Sequence, residues 1–457
     1  MRRLRVLHAI HDFLPRHRAG SEIYARDLAR ELSKRHDVFV VAAEYDPSTP
    51  HGTIRWKTCD GLPVIEIVNN WEFESFEDTY ASPRINRQLA HVLDATRPDV
   101  LHVHNLLNLT FDLPRLAHER GIATAATLHD YTLVCASGGQ RVHVADAHVC
   151  DVIETERCSR CFAASPFHAQ WAVGRLQRRP AARQILKMAG AIRSRLPSAA
   201  ERALTLLPAG GSSQADMQRR LAYSRHVFDQ VDRFVSPSSA LASEYVRLGL
   251  DPLRVEVSDY GFSAVRVAAR TPSAAPRFGF VGTLAWHKGA HVFLESLEAL
   301  RGRFQASVYG DPAVSPHYAA QLRRLSDRLP VQFHGPFDRD RLAEAYASID
   351  VLVVPSLWPE NSPLVIHEAF MHGAAVVAAR VGGIPELVTD GVNGFLYDPR
   401  RTDALARLLQ RFVDDPSLAS RLARSAPAIK RIEDDAREWE HRYLSITGVQ
   451  PAVAEPA

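Results

Sequence analysis

Short apolar runs alternate with longer stretches in which apolar residues return every three or four positions, and this rhythm occurs twice along the chain. Arg5 to Ile10 is the first run, followed by helical spacing around Ser21 to Arg35 and a second run from Val38 to Ala42. Asp99 to His104 and Ile122 to His129 continue the series, with a helix from Leu116 to Arg120 between them that Gly121 stops. Strand, helix, strand in that order predicts a parallel sheet covered by helices. A second series opens with Arg277 to Gly282 and continues through Phe304 to Tyr309, Val331 to His334, Val351 to Pro355 and Ala375 to Ala379. These runs are continuous and rich in β-branched residues, as strands covered on both faces must be.

Between the two series the rhythm fails. From about Cys135 to Arg233 the chain is helical in pattern and rich in Arg and Ala, with Pro180, Pro197, Pro208 and a Gly210-Gly211-Ser212-Ser213 break, and reads as an insertion. A stretch rich in Ala, Pro, Thr and Ser, from Ser263 to Pro276, reads as a linker. The pattern therefore predicts two doubly wound α/β domains: residues 1–265, with the insertion at about 135–233, and residues 266–428. A charged helix from about Ile429 to Ile446 follows within a 429–457 tail, and its Trp439 and Tyr443 require a surface to cover.

Length supports this division, since 457 residues exceed what one hydrophobic core organises. Hydrophobic residues at 46% and charged residues at 23% fit a globular protein. The chain has no run of about 18 uncharged apolar residues, and its start reads as a strand rather than a signal peptide, so a cytoplasmic protein is expected. A formal net charge of +3, without aromatics interleaved among basic residues, gives no reason to expect nucleic acid as a partner.

Candidate chemistry gathers at strand ends of the second series. After Val351 to Pro355 comes Ser356-Leu357-Trp358-Pro359-Glu360-Asn361-Ser362-Pro363-Leu364, with Ser362 expected as N-cap and Pro363 at the first helical position. Amides at such a helix start lie beyond the carboxyl end of a strand, where open α/β sheets bind anions. Glu360 precedes the helix; Glu368 lies about two turns into it, heading for a packed face where a carboxylate must be paired or hydrogen-bonded. The alternative is an acidic first turn complementing the helix dipole plus one solvated Glu. Thr283 to Gly289, after the strand ending at Gly282, forms a second anion-type loop in which Lys288 is either a ligand for phosphate oxygens or a solvated side chain. A third turn, Arg380 to Glu386, has adjacent Gly382 and Gly383, which permit close backbone approach to a ligand or serve only the turn.

Taken together these stretches become specific. Glu360 to Glu368 resembles the E-x7-E signature of retaining GT-B glycosyltransferases of family 4, the glycosyl transferases group 1. Gly282 to Gly289, Val381 to Glu386 and Asp390 to Leu396 match the same family in order and spacing. The resemblance implies a GT-B architecture, with the last helix crossing back to the first domain. It also implies a nucleoside-diphosphate sugar donor, with Glu360 on the donor sugar, Glu368 on the ribose, and amides around Asn361, Ser362 and Leu364 on the diphosphate. The family's phosphate-binding Arg and Lys correspond to Thr283 and Lys288, so the Arg is absent from this chain. In the first domain, Arg18 to Glu22 resembles the Gly-rich loop after the first strand, with Ala19 where a second Gly is usual and Gly20 retained. Leu101 to His104 and Thr127 to Tyr131 also match, which implies that His129 faces the reacting centre as a positioning group or as a base for the acceptor. The mechanism favoured for similar enzymes lets the leaving diphosphate take the acceptor proton, and it requires no catalytic metal. The resemblance implies transfer to a glycan, a lipid-linked acceptor or another cell-surface acceptor. Other readings are a GT-B epimerase or phosphorylase, or a non-catalytic sugar-nucleotide-binding scaffold.

Two features fall outside that resemblance. Cys135, Cys150, Cys158 and Cys161 lie in one short window, with Cys158 and Cys161 as a CxxC pair, and point to a structural Zn site or to reduced or redox-labile thiols. Between Gln170 and Leu204, Arg175, Arg178, Arg179, Arg183, Lys187, Arg193, Arg195 and Arg202 face the single acid Glu201, with apolar residues interspersed. That segment suits either peripheral contact with anionic lipid at the inner membrane face or a solvated basic face packed on the domain.

Overall fold

The computed structural model describes residues 2–143, 146–177, 212–270, 273–336, 341–401 and 403–448. Most of the basic segment, from Arg178 to Arg202, lies outside the described residues. The first sheet is built from β1 (Arg5–Ile10), β2 (Asp37–Glu44), β3 (Ile54–Cys59), β4 (Leu62–Val68), β5 (Val100–Val103) and β6 (Ala123–Thr127). After a small hairpin of β7 (Val142–His143) and β8 (His148–Val149), β9 (Arg233–Ser236) and β10 (Val255–Val257) complete it. Its order is β10-β9-β6-β5-β1-β2-β4-β3, parallel throughout except where β3 turns back along β4. The second sheet comprises β11 (Arg277–Val281), β12 (Gln305–Tyr309), β13 (Val331–Gly335), β14 (Val351–Val354), β15 (Ala375–Ala379) and β16 (Gly394–Tyr397). It is parallel, in the order β13-β12-β11-β14-β15-β16.

Strand alternation divides each core into two layers. Leu7 and Ala9 of β1 enter one apolar cluster while Val6 and Ile10 enter the other. In β14 the partition repeats, Val351 and Val353 to one side and Leu352 and Val354 to the other. Helices cover both faces of each sheet, the doubly wound arrangement that the apolar pattern predicts. The stretch after Cys135 shares the first core, because Phe162, Trp171, Met217, Val227 and Phe228 are buried within it.

The last helix, Ile432–Thr447, packs on the Gly20–Ser33 helix and on β6, although it follows the second sheet in the chain. Trp439 and Tyr443 are fully buried there among first-domain residues. Trp439 Nε1 donates to the Tyr24 hydroxyl (2.9 Å), which donates to Asp435 Oδ2 (2.9 Å). No helix among the described residues is long and apolar enough to cross a membrane.

Candidate active site

The loop after β14 carries Glu360, Asn361 and Ser362, three of the residues singled out in the sequence. Glu360 is buried, and its Oε1 accepts from Lys288 Nζ at 2.7 Å and from Ser356 Oγ at 2.7 Å. Burial pushes the Glu360 carboxyl up, but Lys288, by charge and hydrogen bond, and the Ser356 hydroxyl outweigh it, so the group is held below its ordinary value. Lys288 also lies 4.8 Å from the centre of the Trp358 ring. It is the last residue of a single helical turn, and Gly289 follows at φ +75°, where a Cβ would meet the Pro355 carbonyl oxygen at 1.9 Å. Only glycine lets the lysine loop lie that close to the β14 loop.

The turn after β15 is fitted against the same loop. Gly382, at φ +52°, approaches so closely that a Cβ would stand 2.0 Å from the Glu360 carbonyl oxygen, and the Gly383 N–H donates to that oxygen at 2.7 Å. Gly282, at φ +154°, directly follows β11, while Thr283 is exposed and supplies no cation in place of the missing Arg.

The helix start differs from expectation. The helix runs Leu364–Met371 with Pro363 in the N-cap position, extended at ψ 116°, and no side chain caps it. Ser362 is drawn away instead: its hydroxyl donates to Asp259 Oδ1 (2.7 Å) and lies 2.9 Å from His367 Nε2. A hydroxyl committed to the inter-domain junction is lost to the helix. Glu368 on this helix is buried and accepts from the Tyr346 hydroxyl at 3.0 Å, which meets the requirement for a partner on a packed face.

This loop with its helix, and the turn after β15, are bound to the first domain. Asn361 Nδ2 donates to the His129 carbonyl at 2.5 Å. Leu364 Cδ1 lies where a Cβ on Gly20 would be 3.0 Å away. Asp259, just after β10, meets Ser362 and His367. Glu386 accepts the N–H groups of Ser239 (2.8 Å) and Ala240 (2.9 Å) at the start of the Ser239–Arg247 helix. The structure thus brings Gly20, His129, Lys288, Glu360, Asn361, Ser362, Leu364 and Gly383 into one neighbourhood. Glu368, one turn further along the Leu364–Met371 helix, faces Tyr346 of the Leu342–Ala347 helix.

His129 ends a buried chain. Its Nδ1 lies 2.9 Å from the Tyr260 hydroxyl, and its Nε2 lies 3.0 Å from His104 Nδ1. His104 Nε2 in turn lies 2.9 Å from His8 Nδ1. Burial, with a smaller contribution from His11, lowers the His129 pKa to about 3. Both ring nitrogens are engaged and the ring is neutral, so the chain suits positioning of the cleft edge rather than uptake of an acceptor proton. Asp130 beside it accepts from Asn105 Nδ2 at 3.0 Å and from the Thr132 N–H at 2.7 Å. A cavity of about 30 Å³ lies under this edge, lined in part by His104, Asn105, His129 and Asp130. A wider open groove of about 840 Å³, between β10 and the last helix, touches none of these residues.

Sequence reasoning missed Ser356, Tyr346, Asp259 and Tyr260. Ser356 was legible, since it stands four residues before Glu360 on a loop already singled out. Asp259 and Tyr260 lie about a hundred residues upstream and carry no local signal. Among the described residues, His8, His102 and His104 bring ligand-type atoms within 4.8 Å of one another, as do His11, Asp12 and Glu22. In the histidine group every ring nitrogen except His8 Nε2 already has a hydrogen-bond partner.

Comparison with known proteins places this geometry in a family. Residues 18–183 match the model described as Glycosyltransferase Family 4, and residues 275–415 match that described as Glycosyl transferases group 1. A D-inositol 3-phosphate glycosyltransferase of Streptomyces griseus is 36% identical over 192 residues, 39% of this chain and 40% of that protein. Its namesake in Mycolicibacterium gilvum is 33% identical over 270 residues, 54% of this chain and 58% of that one. The matched stretch thus spans roughly half the length of these relatives. Sucrose-phosphate synthase of Thermosynechococcus elongatus shares the fold, with a TM-score of 0.66 over 98% of this chain and 100% of that one at 18% identity. The catalytic domain of starch synthase IV from Arabidopsis thaliana, bound to ADP and acarbose, gives 0.61 over 98% and 100% at 15% identity. With both family domains in order on two facing parallel sheets, the chain belongs to the family 4, group 1 glycosyltransferases.

Proposed function

We propose that this protein transfers a hexose-like unit from a nucleoside-diphosphate sugar to a hydroxyl of a glycan, lipid-linked or other sugar-like acceptor, with retention of configuration. The carrying observation is the Lys288 to Glu360 contact of 2.7 Å, on a loop that Asn361 ties to the His129 carbonyl of the opposite domain. A donor sugar entering there meets Glu360, and Lys288 turns from the carboxylate to the diphosphate. The amides of Asn361, Ser362 and Leu364 and the backbone of Gly20, Gly282 and Gly383 line the diphosphate, with Thr283 at its rim and Glu368 on the ribose. Charge building on the leaving diphosphate is then met by Lys288 and these fixed dipoles, the largest kind of contribution to such a reaction. No divalent metal is required on this route, because the cation is supplied by the protein and the proton passes to the departing diphosphate.

The relatives named for D-inositol 3-phosphate support a polyhydroxylated acceptor, and neighbours solved with UDP or ADP support a nucleotide donor. The test is release of nucleoside diphosphate across a panel of nucleotide sugars, read beside thermal stabilisation. A donor at ~100 times its dissociation constant adds about 2.7 kcal/mol to stability. Lys288→Ala is expected to lower turnover by about 100-fold or more, the usual cost of one electrostatic contact to a developing charge. Unchanged turnover in that variant and in Glu360→Gln, or a flat thermal response to the whole panel, overturns the reading.

A further inference from the structure

The cysteine cluster lies outside the donor cleft. Cys135 closes a turn, its N–H donating to the Tyr131 carbonyl at 2.8 Å. Cys150 leaves β8 with its N–H on the Arg141 carbonyl at 2.8 Å. Cys158 and Cys161, three residues apart, share one face of the Thr155–Ala163 helix. Cys161 Sγ lies 3.7 Å from the Val142 carbonyl of the hairpin, and Cys135 and Cys158 pack against the same apolar cluster. Cys158 lies within electrostatic reach of the other three thiols. All four are half-buried and none is in a disulfide.

We propose that Cys135, Cys150, Cys158 and Cys161 hold one structural zinc ion beside the buried guanidinium of Arg220.

Arg220 is the observation that turns a group of thiols into a site. It is 5% exposed, and its guanidinium donates to the carbonyls of Thr132 (2.6 Å) and Leu133 (3.2 Å) and lies 4.9 Å from the Phe111 ring centre. No carboxylate pairs with it among the described residues, whereas Cys135 and Cys158 are among its electrostatic neighbours. A buried cation without an anion costs several kcal/mol. Four thiolates around Zn²⁺ carry a net charge of −2, and such a centre supplies the missing anion. Four sulfur donors suit zinc, which they enclose tetrahedrally, or an iron–sulfur centre, whose visible absorption sets it apart. No three of these sulfurs lie within 4.8 Å of one another, so binding requires hairpin and helix to move inward. Because Arg220 holds the carbonyls of Thr132 and Leu133, three and four residues after His129, that closure braces the loop bearing His129.

The test is metal analysis of the full chain purified without chelator. About one zinc per chain is expected, released when a thiol-blocking mercurial is added and detected with a chromophoric chelator. Cys158→Ser and Cys161→Ser should carry well under half of that, while Cys59→Ser, on β3, keeps it. Stripping the metal should lower the unfolding midpoint by several degrees. A parent protein that contains no zinc and takes none up from added zinc chloride overturns the proposal, as does a visible iron–sulfur chromophore. The parent measurement decides even where a variant fails to fold, and donor binding is a separate readout in either case.

Discussion

At the residue scale, the Glu360 loop depends on backbone contacts that no side chain can replace. Gly382 sits at φ +52°, with a would-be Cβ 2.0 Å from the Glu360 carbonyl oxygen and 2.7 Å from the Glu360 nitrogen. Both are backbone atoms and cannot swing aside. Gly382→Ala must therefore push the Glu360 loop away from the turn after β15, in addition to the cost of about 1–2 kcal/mol for a left-handed non-glycine residue. The expected outcome is a lowered unfolding midpoint together with weakened nucleotide-sugar binding, measured by thermal unfolding and calorimetry. Wild-type affinity in that variant would show that the turn and the loop are independent. The adjacent glycines were visible in the sequence. Whether they served a ligand or only a turn was not, because the atom they make room for is the carbonyl of Glu360, twenty-two residues earlier.

At the element scale, the last helix belongs structurally to the domain it does not follow. Trp439 and Tyr443 are fully buried, and the chain of Trp439, Tyr24 and Asp435 joins the helix to the Gly20–Ser33 helix. Trp439→Ala removes a large buried side chain and the donor to Tyr24, a cost of about 3–5 kcal/mol. Arg437→Ala, on the exposed side, is expected within about 0.5 kcal/mol. Denaturant unfolding of the two variants measures the difference, and equal midpoints would remove the helix from the first domain's stability. Amphipathic spacing with two aromatics made the helix legible from sequence; its partner surface was not, since that surface is assembled from residues four hundred positions away. The helix Pro83–Thr96 escaped the sequence reading although Ser82 at its N-cap and Pro83 after it are ordinary start signals. The Leu364–Met371 helix shows the reverse, a plausible cap sequence whose hydroxyl the tertiary structure uses elsewhere.

At the scale of the whole molecule, buried histidines couple stability to pH. Burial lowers His8 and His129 to about 3 and holds His102 and His104 well below the ordinary imidazole value. The unfolded chain takes up protons near pH 6.5 while the folded one does not, so the unfolded state binds more protons and stability must fall as pH falls. The window runs from about 6.5 down to about 3, with each histidine costing about 1 kcal/mol between pH 6.5 and 5.5. The unfolding midpoint is expected to drop clearly over that unit, and His8→Asn should flatten the slope. A midpoint constant from pH 7.5 to 5.5 would contradict neutral burial of the chain. This network lies in the first domain, beneath His129, so acid should loosen the first domain before the second.

The order of apolar runs determined two parallel sheets, because strands buried on both faces and helices with one apolar stripe leave few other ways to cover apolar surface. The linked motifs of the second half determined the Glu360 loop for the same local reason: strand ends, glycines and helix starts are encoded within a few residues. Tertiary structure alone decided which groups share charge and protons. Lys288 meets Glu360 across 72 positions, Asn361 meets the His129 carbonyl across 232, and Tyr24 meets Asp435 across 411. Hydrogen bonds and ion pairs act over about 3 Å, and only the packing of two sheets brings such distant residues within that range.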